Sequence, residues 1–173
     1  MKNHTRIIVL GFILILLHVL PATILQFIKI EGIAPNFMLM LIVSIALIRG
    51  SKEGALLGIA AGIINDILFG RYIIFSVVNY ALIGYMCGKL NKKFYRENYI
   101  LPFFCTFASS LYLSVVTMIT FLVQGKSNFL YLLKSIVIPE VIYTTAVSLI
   151  IYQVIYVINA KIEDREKNTR NLF

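Results

Sequence analysis

Two carboxylates interrupt the apolar stretches of this chain and are its first candidates for chemistry. Asp66 lies in the run 53–70, E-G-A-L-L-G-I-A-A-G-I-I-N-D-I-L-F-G, and Glu140 follows Pro139 in a later run. An acid inside an apolar segment can carry a proton or a cation, or it can hydrogen-bond a neighbouring helix. A relay needs several such groups, and Glu140 is the one further candidate. We therefore expect a structural Asp66 that caps or hydrogen-bonds near residues 70–72, with three polar neighbours as candidate partners: Asn65, Arg71 and Asn79.

The other reactive side chains do not form a recognisable site. Cys87 and Cys105 stand singly in separate apolar stretches, and His4 and His18 have no companions at the spacing of metal ligands. The sequence also contains no G-x-S-x-G nucleophile motif and no glycine-rich phosphate loop. We expect no metal site and no cofactor, and an enzyme is disfavoured.

Composition indicates an integral membrane protein. Of the 173 residues, 60% are hydrophobic and 14% are charged, and the mean hydropathy is +0.88. The apolar runs predict an all-α bundle of six transmembrane helices in a single membrane domain, 1–173, with a charged tail at 159–173. The predicted spans are 7–27, 34–48, 54–69, 73–88, 100–123 and 136–158. We expect residues 7–27 to be a retained first span and not a cleaved signal.

Basic residues predict the orientation of this bundle, because lysine and arginine are enriched on the cytoplasmic side. With both termini in the cytoplasm, 12 of the 16 basic residues fall in cytoplasmic segments and 4 outside. The formal net charge of +8 is then explained by topology and by attraction to anionic lipids, and no nucleic-acid partner is needed. The basic loop at 89–96 is either a topology determinant or a handle for a cytoplasmic partner; its cations are Lys89, Lys92, Lys93 and Arg96.

Small residues recur in the run 53–70 with a helical period. A spacing of four residues places Gly54, Gly58, Gly62, Asp66 and Gly70 in one slanting stripe on a helix. In a bilayer such a stripe lets two helix backbones approach closely. The stripe is expected to pack against the protein's own bundle, to dock a partner's helix, or to do both.

Three stretches together resemble the MreD family of rod shape-determining membrane proteins. They are P-N-F-M-L-M-L-I-V from Pro35, the glycine run 53–70, and Y-A-L-I-G-Y-M-C-G from Tyr80, with a weaker similarity in I-P-E-V-I-Y from Ile138. The resemblance covers residues 34–90 most strongly. This chain departs from the family pattern in two places. Ile74 stands where the family commonly has a glycine, and the last helix offers Thr144 or Thr145 where the family has an asparagine.

The resemblance implies a non-catalytic scaffold of the bacterial cell-elongation machinery, involved in rod shape and lateral peptidoglycan synthesis. It implies a multi-pass protein of the bacterial cytoplasmic membrane. The implied partners are a single-span MreC-like protein, the MreB cytoskeleton, RodA with its class B penicillin-binding protein, and membrane lipids.

One alternative function comes from another class of protein. Substrate-binding membrane subunits of energy-coupling-factor vitamin transporters also have six helices in this size range. For that function Asp66 and Glu140 would be the polar anchors of a solute. Co-purification of elongation proteins or of transporter ATPases would distinguish the two.

Overall fold

The computed structural model describes residues 34–69, 74–92, 100–123, 125 and 129–170. It describes the side chains of all of these residues except 68–69, 92 and 162–170. Within these residues the regular structure is helical: α1 (Phe37–Arg49), α2 (Ser51–Phe69), α3 (Phe75–Lys89), a 3₁₀ turn (Leu90–Lys92), α4 (Ile100–Val123) and α5. We use α5 for three consecutive segments, Phe129–Leu132, a π-helical turn Leu133–Val137, and Ile138–Arg170. The predicted first span, 7–27, lies outside the described residues.

The two longest apolar helices have the length and composition of membrane spans. They are Ile100–Val123, with 24 residues, and the 33-residue stretch Phe129–Lys161 of α5. α1 has only 13 residues and is about 20 Å long at 1.5 Å per residue, less than the ~30 Å of a typical hydrocarbon core. The described chain is thus all-helical, and the six-span topology stays a prediction.

The last helix differs from its predicted range. It begins at Phe129, before the predicted start at 136, and continues to Arg170 through most of the predicted tail. The range 136–158 began just after the polar residues Lys134 and Ser135. Lys134, however, is exposed and fits on the outer face of the helix. The π-helical turn just precedes Pro139, which lacks an N–H, and the N–H of Ile138 bonds to the carbonyl of Leu133.

α1 is the central helix of the described bundle. Every residue from Met38 to Ile48 is buried, and α1 packs against each of the other four helices. It begins at Asn36, whose Oδ1 accepts a hydrogen bond from the N–H of Leu39 at 3.0 Å. It ends at Gly50, which has a φ of 100° and whose N–H bonds to the carbonyl of Ala46. A helix that is apolar on every face is buried on every face.

The other helices form two pairs around α1. α2 and α3 pack most extensively against each other, and α4 packs mainly against α5. At the end of α1 that carries Arg49, hydrogen bonds join three helices. The Nη1 of Arg49 lies 3.1 Å from the Oε2 of Glu53, and its Nε donates to the Oδ1 of Asn159 at 2.7 Å. The Nδ2 of Asn91 donates to the carbonyl of Leu47 at 2.6 Å.

The residue that precedes α3 is strained. Ile74 has a φ of 84°, in the left-handed region, and among the described residues no other non-glycine residue has a positive φ. A β-branched side chain is rarely found there because its Cβ meets the backbone. This is the position at which the family pattern has a glycine. At Ile74 the backbone is therefore left-handed without the residue type that adopts this conformation freely.

We predict that Ile74→Gly stabilises the protein. Relief of the left-handed strain should contribute about 1–3 kcal/mol. Little burial is lost, because Ile74 is 60% exposed. The measurement is the thermal unfolding midpoint in detergent. The matched control is Val78→Gly, one turn into α3 at an exposed site, which should destabilise by about 1 kcal/mol. A lower midpoint for Ile74→Gly would contradict the strain.

Candidate functional site

Glycines of α2 and α3 bring the backbones of these two helices together. We call Gly54, Gly58, Gly62, Gly84 and Gly88 the glycine seam. A Cβ added to Gly54 would lie 2.6 Å from the carbonyl oxygen of Gly84 and 2.6 Å from the Cβ of Ala46. At the other four positions an added Cβ would overlap backbone atoms of the facing segment. The backbones of α2 and α3 are therefore in direct contact.

The seam places most of the predicted stripe against the protein's own chain. Gly58 faces Tyr80 and Ala81, and Gly62 faces Val77 and Ser76. No space for a further helix remains between α2 and α3 at these residues. Gly70 lies outside the described residues. The opposite face of α2 is exposed and apolar, with Leu56, Ile59, Ile63 and Ile67.

The sequence analysis missed the α3 half of the seam. Gly84 and Gly88 appear in the motif Y-A-L-I-G-Y-M-C-G, and they have the same four-residue spacing as the glycines of α2. Two helices with glycines at this spacing are candidates for each other's partner. That signal was present in the sequence.

Asp66 bonds to the start of the next helix. Its Oδ1 accepts a hydrogen bond from the backbone N–H of Ser76 at 3.3 Å, and the Nδ2 of the adjacent Asn65 donates to the Oγ of Ser76 at 2.9 Å. A carboxylate here satisfies an N–H in the first turn of α3, where the helix dipole favours negative charge. The Oδ2 of Asp66 is buried without a hydrogen-bond partner. The acid thus caps α3 from α2, beyond the residues 70–72 of the prediction.

The other partners considered for Asp66 are used elsewhere or are not described. Asn79 donates to the carbonyl of Phe75 at 2.8 Å and accepts a hydrogen bond from the hydroxyl of Tyr112 at 2.8 Å. It therefore connects α3 to α4. Arg71 lies outside the described residues. Ser76, the observed partner, was not foreseen because its position depends on where α3 begins.

Glu140 belongs to a second polar group, which joins α4 and α5. Its Oε2 accepts a hydrogen bond from the hydroxyl of Ser114 at 3.1 Å. One turn along α5, the Oγ1 of Thr144 accepts one from the backbone N–H of Asn36 at 3.2 Å. The Nδ2 of Asn36 lies 3.5 Å from the hydroxyl of Tyr80. This group therefore connects the start of α1 to α3 and α5.

Thr144 is one of the two threonines that this chain offers where the family pattern has an asparagine. It is fully buried, and its hydroxyl provides the acceptor that the N–H of Asn36 needs. A threonine therefore performs this contact in the present chain. Asn36, Tyr80 and Ser114 were not singled out from the sequence, since their roles depend on contacts between helices distant in sequence.

The remaining candidate residues have structural surroundings. Cys87 and Cys105 are buried thiols without a disulfide, and Cys87 lies 3.5 Å from the Oγ of Ser109. In the basic loop, the ammonium of Lys89 lies 4.6 Å from the ring centroid of Tyr85. Lys92 ends the 3₁₀ turn, and Lys93 and Arg96 are outside the described residues. Within the part of the chain that the structure describes, no group of three or more His, Cys, Asp or Glu side chains is arranged to hold a metal ion.

We predict that Gly58→Ala destabilises the protein although alanine is the better helix former by about 1 kcal/mol. The new Cβ would overlap the backbone of Tyr80 and Ala81, which cannot rotate away. The cost should be about 1–3 kcal/mol, seen as a lower unfolding midpoint in detergent. The control, Ile59→Ala, changes the exposed neighbour and should stay within about 0.5 kcal/mol of wild type. A midpoint for Gly58→Ala at or above that of wild type would show that the glycine seam can accommodate an added methyl group.

We predict that Asp66→Asn is tolerated better than Asp66→Leu. Asparagine keeps an acceptor for the N–H of Ser76, whereas leucine leaves that N–H unpaired and loses the cap, at about 0.5–2 kcal/mol. Loss of the charge alone should cost only about 0.3–1 kcal/mol. Unfolding midpoints and cell-shape complementation at equal membrane abundance measure the difference. An asparagine variant that is stable and abundant yet inactive would show that the charge itself is required.

The family model described as rod shape-determining protein MreD matches residues 2–162. No curated protein and no solved structure matches the chain.

Proposed function

The chain belongs to the MreD family of rod shape-determining membrane proteins of the cell-elongation machinery, a non-catalytic family, and from this premise we propose how it acts. It is a scaffold that presents a fixed set of helix faces to other elongation proteins. Its partners are a single-span MreC-like protein, the MreB cytoskeleton, and RodA with its class B penicillin-binding protein. It lies in the bacterial cytoplasmic membrane, crosses it six times, and has both termini in the cytoplasm.

The observation that carries this proposal is the use of the polar side chains. The two carboxylates that were candidates for chemistry bond to neighbouring helices of the same chain, Asp66 to the start of α3 and Glu140 to Ser114 of α4. The Arg49 guanidinium bonds to Glu53 and Asn159. These contacts fix helix positions. A scaffold needs fixed helix positions, because its partners bind helix faces that must stay in a constant arrangement.

Two surfaces are suited to partners on this proposal. The exposed apolar face of α2, with Leu56, Ile59, Ile63 and Ile67, is available to a membrane helix while the glycine seam behind it sets its position. A docking role for Gly54, Gly58, Gly62, Asp66 and Gly70 is then indirect. The helical end of α5 continues nine residues past Lys161, about 14 Å, and offers a charged handle at the cytoplasmic side together with the basic loop.

The transporter alternative is not proposed. It needed Asp66 and Glu140 as anchors for a solute, and both have partners in their own chain. The family to which the chain belongs is one of shape determinants.

We predict that depletion makes rod-shaped host cells round and wide, whatever vitamins are supplied. The reason is that the defect lies in the direction of wall synthesis and not in nutrient supply. Cell width and aspect ratio are measured by microscopy after depletion, with and without vitamin supplement. Re-expression of wild type should restore the rods. Ile119→Ala at equal abundance, an exposed site on α4 outside both proposed partner surfaces, is the control. Normal shape in depleted cells, with growth restored by one vitamin, would reject the proposal.

A further inference from the structure

The two cysteines of this chain meet at the contact between α3 and α4. The thiols of Cys87 and Cys105 share a hydrogen bond, and the sulfur of Cys87 also lies 3.5 Å from the Oγ of Ser109. Cys105 and Ser109 are one turn apart on α4, so their side chains lie on the same face of that helix. The two sulfur atoms are therefore neighbours, although they belong to different helices.

Both thiols are buried in one apolar cluster at the same end of the bundle. Cys87 is 6% exposed and Cys105 is 7% exposed, and both belong to the core cluster around α1. Cys87 lies two residues before Lys89, the last residue of α3, and Cys105 lies five residues after Ile100, the first residue of α4. The proposed topology places this end at the cytoplasmic side. The structure holds both as free thiols, the state expected in a reducing cytoplasm.

A covalent link between these sulfurs would join the two helix pairs of the bundle. α2 packs on α3 and α4 packs on α5, whereas α3 and α4 contact each other much less. Further along the same contact, the hydroxyl of Tyr112 donates a hydrogen bond to Asn79 at 2.8 Å. A hydrogen bond can break and re-form when helices shift, and a disulfide cannot. The oxidation state of the two thiols would thus decide whether the helix pairs can shift against each other.

We propose that Cys87 and Cys105 are a redox-sensitive pair, which a hydroperoxide converts to a disulfide that fixes α3 to α4. The sulfur of Cys87 attacks the terminal oxygen of the hydroperoxide, the O–O bond breaks, and a sulfenic acid and an alcohol form. The sulfur of Cys105 then attacks the sulfenic sulfur, so that the S–S bond forms, the S–O bond breaks and water leaves. The two thiols lose two electrons to the peroxide, and their protons leave in the alcohol and the water.

The class of oxidant and the order of attack follow from the surroundings of the two sulfurs. An oxidant has to reach them through apolar packing, which suits a small uncharged hydroperoxide. A thiol reacts through its anion, and hydrogen-bond donors stabilise that anion. Cys87 has two such neighbours, the hydroxyl of Ser109 and the thiol of Cys105, so its sulfur attacks first.

This inference goes beyond the proposed scaffold function and does not rest on it. Disulfide formation is measured on the chain itself, whereas the scaffold function is measured by cell shape. Failure of one therefore leaves the other in place.

The test uses full-length protein in its own membranes and in lipid nanodiscs, treated with tert-butyl hydroperoxide. Wild type should lose both alkylatable thiols and give a disulfide-linked peptide pair from a single chain. Its unfolding midpoint should rise by about 5–10 °C, because the disulfide restricts the unfolded chain. Dithiothreitol should restore both the thiols and the midpoint. That reversal separates the disulfide from methionine oxidation, which a thiol reductant does not undo.

Two variants serve as controls for the pair. Cys105→Ser should stop at the sulfenic acid of Cys87, which dimedone traps. The matched control combines Cys105→Ser with Ile119→Cys. It keeps two thiols but places one at an exposed site of α4 fourteen residues away, about 21 Å along the helix. This control should form no disulfide within the chain and show no rise in the midpoint.

A disulfide within one chain that raises the midpoint of wild type, and that the matched control lacks, supports the proposal. Three results overturn it. The first is that Cys87 and Cys105 stay alkylatable at hydroperoxide concentrations that oxidise the exposed thiol of the matched control. The second is a disulfide that links two chains instead of two helices of one chain. The third is a disulfide within the chain that leaves the midpoint unchanged.

Discussion

Direct contact between the backbones of α2 and α3 is the constraint on which the rest of the described structure depends. Lipid chains are as apolar as leucine, so two helices in a bilayer gain little from apolar burial and must gain from close packing. The glycine seam provides that packing, since even a methyl group at Gly54 would meet the carbonyl of Gly84 at 2.6 Å. Once the two helices are in contact, their loop ends lie close together. This proximity is what allows Asp66 of α2 to cap α3.

The central position of α1 depends on its apolar faces and on the hydrogen bonds at its two ends. α1 is short, apolar on all sides, and flanked by polar residues at its two ends. Asn36 connects its start to Thr144 and Tyr80, and Arg49 connects its end to Glu53 and Asn159. A helix without a polar face has no preferred rotation about its axis in an apolar bundle. The hydrogen bonds at its ends therefore set the register that its side chains leave undetermined.

The local features could be predicted from the sequence, whereas the features that depend on which helices contact each other could not. The glycine stripe and its helix could be predicted from the four-residue spacing. Asp66 could be recognised as a carboxylate within an apolar run. Ser76 can be identified as the partner of Asp66 only when the first residue of α3 is known. α3 begins after Ile74, whose left-handed backbone is not expected for isoleucine. The bonds from Glu140 to Ser114 and from Asn36 to Thr144 join residues 26 and 108 positions apart. Nothing in a single sequence specifies such distances. α5 begins at Phe129, before the predicted span 136–158, because one exposed lysine, Lys134, does not end a helix.

Most of the polar side chains that are buried in the described helices bond within the chain. Asp66 and Glu140 bond to neighbouring helices, whereas Ser44, Thr106 and Thr145 donate to carbonyls of their own helix. The apolar side chains that remain cover the outside, as a hydrocarbon solvent requires. The polar contacts of the described helices therefore set where those helices lie, and the apolar exterior leaves their outer faces to lipid or to other helices.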